Sequence, residues 1–247
     1  MARWRELLGL LRSLWMYHGD PRLHRRMLRL YRQFVGPGDL CFDIGAHVGS
    51  RVRVFRALGA RTIALEPQPS CMALLRRWYG GRGDVVLLEQ AVGASPGSAT
   101  LHISRRTPTV TSLSGDWIDA VRRDAGFAWV EWDQTVDVLV ITLDALIREH
   151  GVPAFCKIDV EGFEVAVLAG LSRPLPCLSF EYIPAALDEA RVCVERLEAL
   201  ARYRYNWSPG ESHCLQSGTW LDAEQLLARL DGIAADGRSG DIYARLT

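Results

Sequence analysis

Hydrophobic positions along the chain alternate between short continuous runs and longer stretches with helical spacing. The short runs, which predict buried strands, are Leu40–Ile44, Thr62–Leu65, Val85–Leu88, Phe155–Asp159 and Cys177–Glu181. The stretches with helical spacing are Val48–Leu58, Cys71–Tyr79, Leu143–His150, Gly162–Leu168 and Leu187–Arg202. Because strands alternate with helices of about ten residues, the pattern predicts an α/β fold of right-handed βαβ units. We expect a doubly wound, mostly parallel sheet with helices on both faces.

A helical segment, residues 1–35, precedes this pattern, and the main domain is predicted over residues 36–247. Two helices flank the turn Gly19–Pro21, and the first carries an apolar stripe formed by Leu7, Leu8, Leu11, Leu14 and Trp15. Arginines interrupt the stripe, so no apolar stretch approaches the roughly 18 residues that span a bilayer. We therefore expect no integral membrane segment. This basic segment is predicted to pack on the core, with binding to a membrane surface or an anionic substrate as the alternative.

The alternation is interrupted by an insertion at about residues 94–135, before the fourth strand of the predicted main sheet. Strands are predicted at Ala99–Ile103 and Val136–Ile141, with a polar stretch and three tryptophans between them. Long insertions of this kind are usually lids or binding loops, so we expect this one to form the substrate pocket or the lid over it. Its tryptophans, Trp117, Trp129 and Trp132, are expected to form a small local core rather than a ligand platform. A terminal strand pair is predicted at Tyr203–Asn206 and Asp241–Leu246.

Charge and cysteine content limit which partners, metals and cellular compartments the chain suits. Lysine plus arginine and aspartate plus glutamate both number 29, so no global field favours nucleic acid as a partner. The six cysteines are scattered without a C-x-x-C pair, which predicts neither a zinc site nor a disulfide framework and favours the cytoplasm. Of the 29 basic residues one is a lysine, Lys157, and its position inside a predicted central strand requires a buried partner. We expect that partner to be Glu181 or Asp43.

Acidic residues stand at the ends of four predicted strands: Asp43, Glu66, Asp159 and Glu181. Ligands of open α/β sheets bind at these carboxyl ends, which makes the four acids candidate binding residues. The first strand runs into a turn whose glycines, Gly45 and Gly49, are four residues apart. That spacing differs from G-x-G-x-x-G, and an acid two residues before the first glycine suits a ligand that carries a cation. Glu66 follows Gly45 at about the spacing that places an acid on ribose hydroxyls.

Several motifs together resemble the FkbM family of S-adenosylmethionine-dependent methyltransferases. They are Asp43–Gly49, Ala64–Pro67, Glu89–Gly93, Thr142–Asp144 and Lys157–Glu164, in family order across roughly residues 35–185. The resemblance implies a Rossmann-like class I methyltransferase fold of seven strands with the first and fourth adjacent. It also implies a bacterial-type enzyme that methylates a hydroxyl oxygen of a sugar, glycan, polyketide or other natural product.

The resemblance also assigns cofactor-binding residues in this chain. Asp43, Gly45 and Gly49 would line the methionine half of S-adenosylmethionine, and Glu66 would hold the ribose hydroxyls. Gln90 and Ala91 would flank the adenine, while Asp159 would face the sulfonium. Ala46, His47 and Pro67 complete the predicted cofactor-binding set.

Transfer to an alcohol also requires a group that takes the hydroxyl proton. Asp159 and Glu161 are the first candidates, followed by Glu181 and His47, and Lys157 completes the predicted catalytic set as an ion-pair partner rather than a base. The first turn of a helix also favours acids at Glu161 and Glu164 for dipole reasons alone. No metal is predicted; Asp159 with Glu181 is the pair that a divalent cation would use.

The predicted partner is a small-molecule or glycan acceptor, and a homodimer is the candidate assembly. Two other functions fit a similar sheet: a nicotinamide-dependent oxidoreductase, and a nucleoside-binding protein without catalytic activity.

Overall fold

The computed structural model describes residues 2–123, 127, 129–235 and 237–247. Its strands are β1 (Leu40–Ile44), β2 (Arg61–Leu65), β3 (Val85–Leu88), β4 (Ala91–Val92), β5 (Gly97–Ile103), β6 (Gln134–Ile141), β7 (Phe155–Ile158), β8 (Cys177–Tyr182), β9 (Tyr203–Pro209) and β10 (Gly240–Leu246). Seven of them form the main sheet in the order β3-β2-β1-β7-β8-β10-β9. Within it β10 runs antiparallel to both of its neighbours, and the other pairs are parallel. The predicted sheet is thus confirmed, with its first and fourth strands adjacent.

Helices cover both faces of this sheet, as the alternation predicts. They are α1 (Ala2–His18), α2 (Pro21–Tyr31), α3 (Ser50–Ala57), α4 (Pro69–Tyr79), α5 (Gly115–Val121), α6 (Leu143–His150), α7 (Glu164–Ala169), α8 (Leu187–Leu200), α9 (Ala223–Leu227) and α10 (Leu230–Ala234). On one face α2 and α3 pack against Cys41 and Phe155 of the central strands. On the other face α6, α7 and α8 pack against Phe42 and Ile158. The two clusters give the sheet a core on each side.

The insertion folds into a small second sheet, and its strands β5 and β6 contain the predicted strands Ala99–Ile103 and Val136–Ile141. Its order is β4-β6-β5, and β5 pairs antiparallel with β6 over its whole length. A 3-10 turn, Pro108–Val110, and α5 complete it. Trp117 is buried and contacts Trp132 edge to face, which agrees with a local core, whereas Trp129 is exposed. Residues 124–126 and 128 of the predicted insertion lie outside the described residues.

The two N-terminal helices pack in opposite ways. The apolar side of α2, with Leu23, Met27 and Leu30, is buried against the core. In α1 the buried positions are Gly9 and Ser13, Leu10 and Leu14 are half-buried, and six large apolar side chains are exposed: Trp4, Leu7, Leu8, Leu11, Trp15 and Met16. The segment packs on the rest of the chain, but most of the apolar stripe predicted for its first helix faces solvent. Among the described residues no helix combines the length and the hydropathy needed to cross a membrane.

Lys157 is fully buried at the centre of the main sheet, and its partners differ from the predicted ones. Its Nζ lies 2.9 Å from Oδ1 of Asp241 and 3.1 Å from Oδ2 of Asp159. In register Lys157 stands opposite Asp43 on β1 and Ser179 on β8. The two predicted partners, Asp43 and Glu181, therefore belong to the same face of the sheet as Lys157. The actual partner, Asp241, comes from the antiparallel strand β10, where it stands opposite Glu181.

The two carboxylates hold Lys157 in its charged form. Burial by itself disfavours an ammonium ion, yet the attraction of Asp159 and Asp241 outweighs it and raises the pKa of Lys157 above its usual value. A buried pair of this kind is strongly destabilised when one partner is removed, because the other charge is left without compensation.

Replacing Lys157 by methionine should therefore destabilise the protein. We expect Lys157→Met to lower the free energy of unfolding, measured by urea denaturation, by about 3–5 kcal/mol. Arg204→Met is the matched control: its ion pair with Asp222 is about half exposed on both sides and its loss should cost less than about 1 kcal/mol. A Lys157→Met protein as stable as the native chain would contradict the assigned pairing.

Candidate active site

The turn after β1 brings the tips of three strands together. Gly45 has a φ of +85°, and its N–H and that of Ala46 both donate to the carbonyl oxygen of Leu65, at 2.9 Å each. A Cβ at Gly45 would overlap the carbonyl oxygen of Asp159, so only glycine lets the tips of β1 and β7 approach this closely. Gly49, with a φ of +76°, lies against Leu75 in the same way. The predicted glycine turn thus has a geometric reason for both glycines.

Glu66 ties the tips of β1 and β2 together from beneath the turn. Its Oε2 accepts the N–H of His47 at 2.6 Å and its Oε1 accepts the N–H of Gln68 at 2.8 Å. Burial raises the pKa of Glu66 to about 7, although the two backbone hydrogen bonds lower it. Glu66, which is predicted to hold the ribose hydroxyls, therefore also links the two strand tips, and its carboxyl group changes protonation state near neutral pH.

Asp43 presents an acceptor oxygen that the fold leaves unsatisfied. It is 2% exposed, and its Oδ2 has no hydrogen-bond partner among the described residues. Burial raises the pKa of Asp43 to about 6, while the charges of Arg51 and Lys157 lower it. A buried carboxylate oxygen without a donor is costly, so this position is suited to a ligand that brings a cation or a donor.

A cleft with an empty volume of about 850 Å³ opens above these residues. Of the predicted residues it brings together Asp43, Gly45, Ala46, His47, Glu66, Pro67, Gln90, Ala91, Asp159 and Glu161. Gly49 and Lys157 do not line it: Gly49 supports the turn, and Lys157 lies buried under Asp159. Glu181 lines a smaller neighbouring cavity with Trp117 and Glu189.

His47 lies in the cleft with a neutral ring. Burial lowers the pKa of His47 to about 4, and its Nε2 has no hydrogen-bond partner within the described chain. Its ring meets that of Tyr17 edge to face, with the centroids 5.7 Å apart. His47 therefore carries a free lone pair or N–H at the cleft, according to its tautomer.

The loop after β7 carries the acids of the opposite wall. Glu164 accepts the N–H groups of Val160 and Gly162 at 3.0 Å each, which fixes the loop and gives Glu164 a structural role. Glu161 has a φ of +52°, and its carbonyl oxygen accepts the hydroxyl of Ser112 at 2.6 Å. The loop conformation is thus held from α7 on one side and from the insertion on the other.

Three carboxylates converge at this loop. Asp159, Glu161 and Glu181 each offer an oxygen within 4.8 Å of the others, a geometry that could also hold a metal ion. Burial and the neighbouring negative charges raise the pKa of Glu161 and of Glu181 well above the usual range. These two carboxyl groups therefore retain a proton well above the pH at which a solvated glutamate ionises.

Two titratable residues that line the cleft were not identified from the sequence, Tyr17 and Arg51. Tyr17 reaches the cleft from α1, and nothing in the sequence pattern indicates that this helix borders the site. Arg51 is the second residue of α3, with Nη2 3.9 Å from Oδ2 of Asp159. Its guanidinium carbon is 6.0 Å from the centre of the Tyr17 ring. The place of Arg51 directly after the glycine turn was the signal that could have identified it.

A seven-stranded sheet with one reversed strand, a glycine turn after β1 and an acid after β2 defines a class I methyltransferase. The model of the methyltransferase FkbM domain matches residues 43–205, and the chain belongs to this family. It is therefore an S-adenosylmethionine-dependent methyltransferase.

Two solved structures match this chain at low sequence identity. An O-methyltransferase from Bacillus cereus in complex with SAH is 14% identical, with 97% of this chain and 90% of that chain covered and a TM-score of 0.48. Precorrin-6Y C5,15-methyltransferase from Geobacter metallireducens GS-15 is 13% identical, with coverage of 91% and 87% and a TM-score of 0.48. A search of curated proteins finds no match.

The residues of the cleft fit S-adenosylmethionine. When bound, this cofactor supplies an electrophilic methyl group on a positively charged sulfur. The unsatisfied oxygen of Asp43 and the carboxylate of Asp159 match that charge, and Glu66 has acceptor capacity left for ribose hydroxyls. Gln90 and Ala91 form the wall on the β3 side, where the resemblance expects the adenine.

Cofactor affinity should depend on pH. Asp43 and Glu66, with pKa values of about 6 and about 7, become carboxylates as the pH rises through that range. Each carboxylate attracts the cofactor more strongly than its neutral acid, so we expect binding of S-adenosylmethionine to tighten by about tenfold between pH 5 and pH 7.5. Isothermal titration calorimetry measures this change.

Matched variants distinguish the contributions of Glu66 and Asp43 to cofactor binding. Glu66→Gln should flatten the pH dependence, and the exposed control Glu149→Gln should leave it intact. S-adenosylhomocysteine lacks the sulfonium charge and should respond less to Asp43→Asn than the cofactor does. A native protein whose affinity stays constant from pH 5 to pH 7.5 would contradict the assigned roles.

Proposed function

We propose that the protein transfers the methyl group to a hydroxyl oxygen of a sugar, glycan or natural-product small molecule. The observation that supports this proposal is the set of chemical groups that line the cleft beside Asp159. Asp159 and Glu161 line the cleft together with Thr109 and Thr111. An acceptor rich in hydroxyls can donate hydrogen bonds to the two carboxyl groups and can form hydrogen bonds with the two threonine hydroxyls. A polyanionic acceptor such as RNA would meet like charges there.

Methyl transfer is an in-line displacement, so the first task of the chain is to align the acceptor oxygen. The hydroxyl of Thr111 donates to Oε1 of Gln68 at 3.1 Å, which fixes the insertion against the β2 tip. Ser112 fixes the same segment against the loop of Glu161. These two contacts hold the acceptor wall in a set position relative to the cofactor wall.

The second task is to accept the proton that the hydroxyl loses as the new carbon–oxygen bond forms. We assign this role to Asp159, whose carboxylate lies in the cleft 3.1 Å from the charged Nζ of Lys157. Burial and the neighbouring carboxylates raise the pKa of Glu161 well above its usual range, which favours its protonated form, so we assign it a hydrogen bond donated to the acceptor. Lys157 positions Asp159 and does not touch the acceptor.

The free cysteines support a cytoplasmic location for this activity. Five of the six are buried, Cys214 is exposed, and all are unpaired. Unpaired thiols are typical of reducing compartments.

Two conservative substitutions test the division of roles. Asp159→Asn removes the proton acceptor and should lower kcat by about 10²–10⁴. Glu161→Gln keeps a hydrogen-bond donor of similar size, so kcat should fall by less than about tenfold. Equal losses in the two variants would contradict this division of roles, and a larger loss in Glu161→Gln would make Glu161 the base.

The acceptor class is tested by mass spectrometry. The protein is incubated with methyl-labelled S-adenosylmethionine and a panel of glycosides, hydroxylated natural products and RNA. We expect a labelled methyl ether on a hydroxylated compound and no label on RNA. Label on carbon, on nitrogen or on RNA would overturn the proposal of O-methylation.

A further inference from the structure

The outer side of α1 carries a stripe of large apolar side chains that the fold leaves exposed. Trp4, Leu8, Leu11 and Trp15, which we call the outer stripe, are 69%, 62%, 51% and 79% exposed. Their spacing of four, three and four residues places them along one side of the helix, over about 16 Å. Six of the ten exposed large apolar side chains in the described chain lie on α1, so the stripe is a concentration and not a general property of the surface.

The opposite side of α1 is fitted to the protein by small residues. Gly9 packs so closely that a Cβ would overlap the carbonyl oxygen of Arg105, and Ser13 is 2% exposed. His18 at the end of the helix contacts the carbonyl oxygen of Val48 at 2.9 Å. Close packing therefore fixes the position of the helix and the orientation that exposes the outer stripe.

A third exposed tryptophan lies beside the helix. Trp129 is 47% exposed, and the guanidinium carbon of Arg12 lies 5.6 Å from its ring centre. All three tryptophans with large exposed areas are thus on α1 or against it. Tryptophan, with an apolar ring and a polar N–H, is enriched where a protein meets the interface of a bilayer.

The segment that carries the outer stripe is basic, although Nη1 of Arg5 also lies 3.7 Å from Oε2 of Glu131. Residues 1–35 contain eight arginines against Glu6 and Asp20, although the whole chain has a net charge of zero. Arg5 and Arg12 are exposed on α1 itself, and Arg22, Arg25 and Arg29 are exposed on α2. This distribution complements an anionic surface. It opposes contact between two copies of the same stripe, since that contact would bring two basic segments together.

We propose that α1 lies in the interfacial plane of an anionic lipid bilayer, with the outer stripe buried among the lipids and the flanking arginines on their head groups. A helix with tryptophan and leucine on one side and arginine beside them has the composition of such interfacial helices. The occupant of this surface is a membrane that contains anionic lipid.

The proposal also bears on the methyl acceptor, and this part rests on the proposed function. The same helix supplies Tyr17 to the cleft and contacts the turn Pro108–Val110, which carries Thr109. Docking through the outer stripe therefore sets the cleft beside the lipid surface. The acceptor class that suits this placement is a hydroxylated group carried on a lipid.

Vesicle binding by the full chain tests the docking surface. The native protein is mixed with vesicles of phosphatidylcholine alone or with phosphatidylglycerol, and bound protein is separated by flotation. We expect at least tenfold stronger binding to the anionic vesicles, weakened by salt. We also expect a blue shift of tryptophan fluorescence as the exposed indoles leave water. A native protein that binds the cofactor but not anionic vesicles would overturn the proposal.

Matched variants identify the helix as the docking element. Leu8→Asp/Leu11→Asp should reduce vesicle binding at least tenfold, whereas Leu139→Asp/Val192→Asp changes exposed apolar residues elsewhere by the same charge and should not. Arg5→Gln/Arg12→Gln should weaken binding more than the exposed pair Arg61→Gln/Arg202→Gln. Cofactor binding and melting temperature check that each variant is folded. Equal vesicle binding by the Leu8→Asp/Leu11→Asp variant and its control would overturn the proposal.

Two further outcomes are distinguishable. A concentration-dependent dimer that Leu8→Asp/Leu11→Asp abolishes, without vesicle binding by the native chain, would assign the outer stripe to a second copy and overturn membrane docking. Flotation requires no methyl acceptor, so failure of the proposed O-methylation would leave the docking result intact. A lipid-linked glycoside methylated faster on anionic vesicles than in detergent would support the acceptor class, and equal rates would overturn it.

Discussion

One buried ammonium group organises the centre of this protein. Lys157 has no exposed surface, and its charge is compensated by Asp159 at the tip of its own strand and by Asp241 on β10. The pair therefore links the parallel half of the sheet to its one reversed strand across β8. It also positions a residue of the active site, because the same Nζ contacts Oδ2 of Asp159, which lines the cleft. The stability of the fold and the position of this carboxyl group thus depend on the same contact.

The two walls of the cleft are held by the same device, an acid whose two oxygens each accept one backbone N–H. Glu66 does this for the turn after β1 and for the start of the next loop. Glu164 does it for the loop after β7. Both have a pKa of about 7 because burial opposes their charge. Loops fixed in this way need little rearrangement when donor and acceptor meet, which favours an oriented displacement.

The features that could be predicted from the sequence were those determined locally. Short continuous apolar runs located the strands, helical spacing located the helices between them, and turn chemistry located Gly45 and its neighbours. The partner of Lys157 could not be predicted, because the position of β10 between β8 and β9 depends on pairing between distant segments. Periodicity likewise found the apolar stripe of α1 but carries no information on which side of the helix faces the core. That orientation depends on the close packing of Gly9 against Arg105, a contact between residues far apart in the chain.

Gly162 belongs to the loop that carries Glu161 and packs against the insertion, so the two segments cannot change independently. Its φ is +83°, and a Cβ there would overlap the indole of Trp117, which is buried in the core of the insertion. The indole occupies the space that any other residue would require, directly beside Glu161. A change in the insertion that displaces this ring must also shift the backbone of the neighbouring acid. Gly162 and Trp117 therefore form one steric unit that links the insertion to the backbone of Glu161.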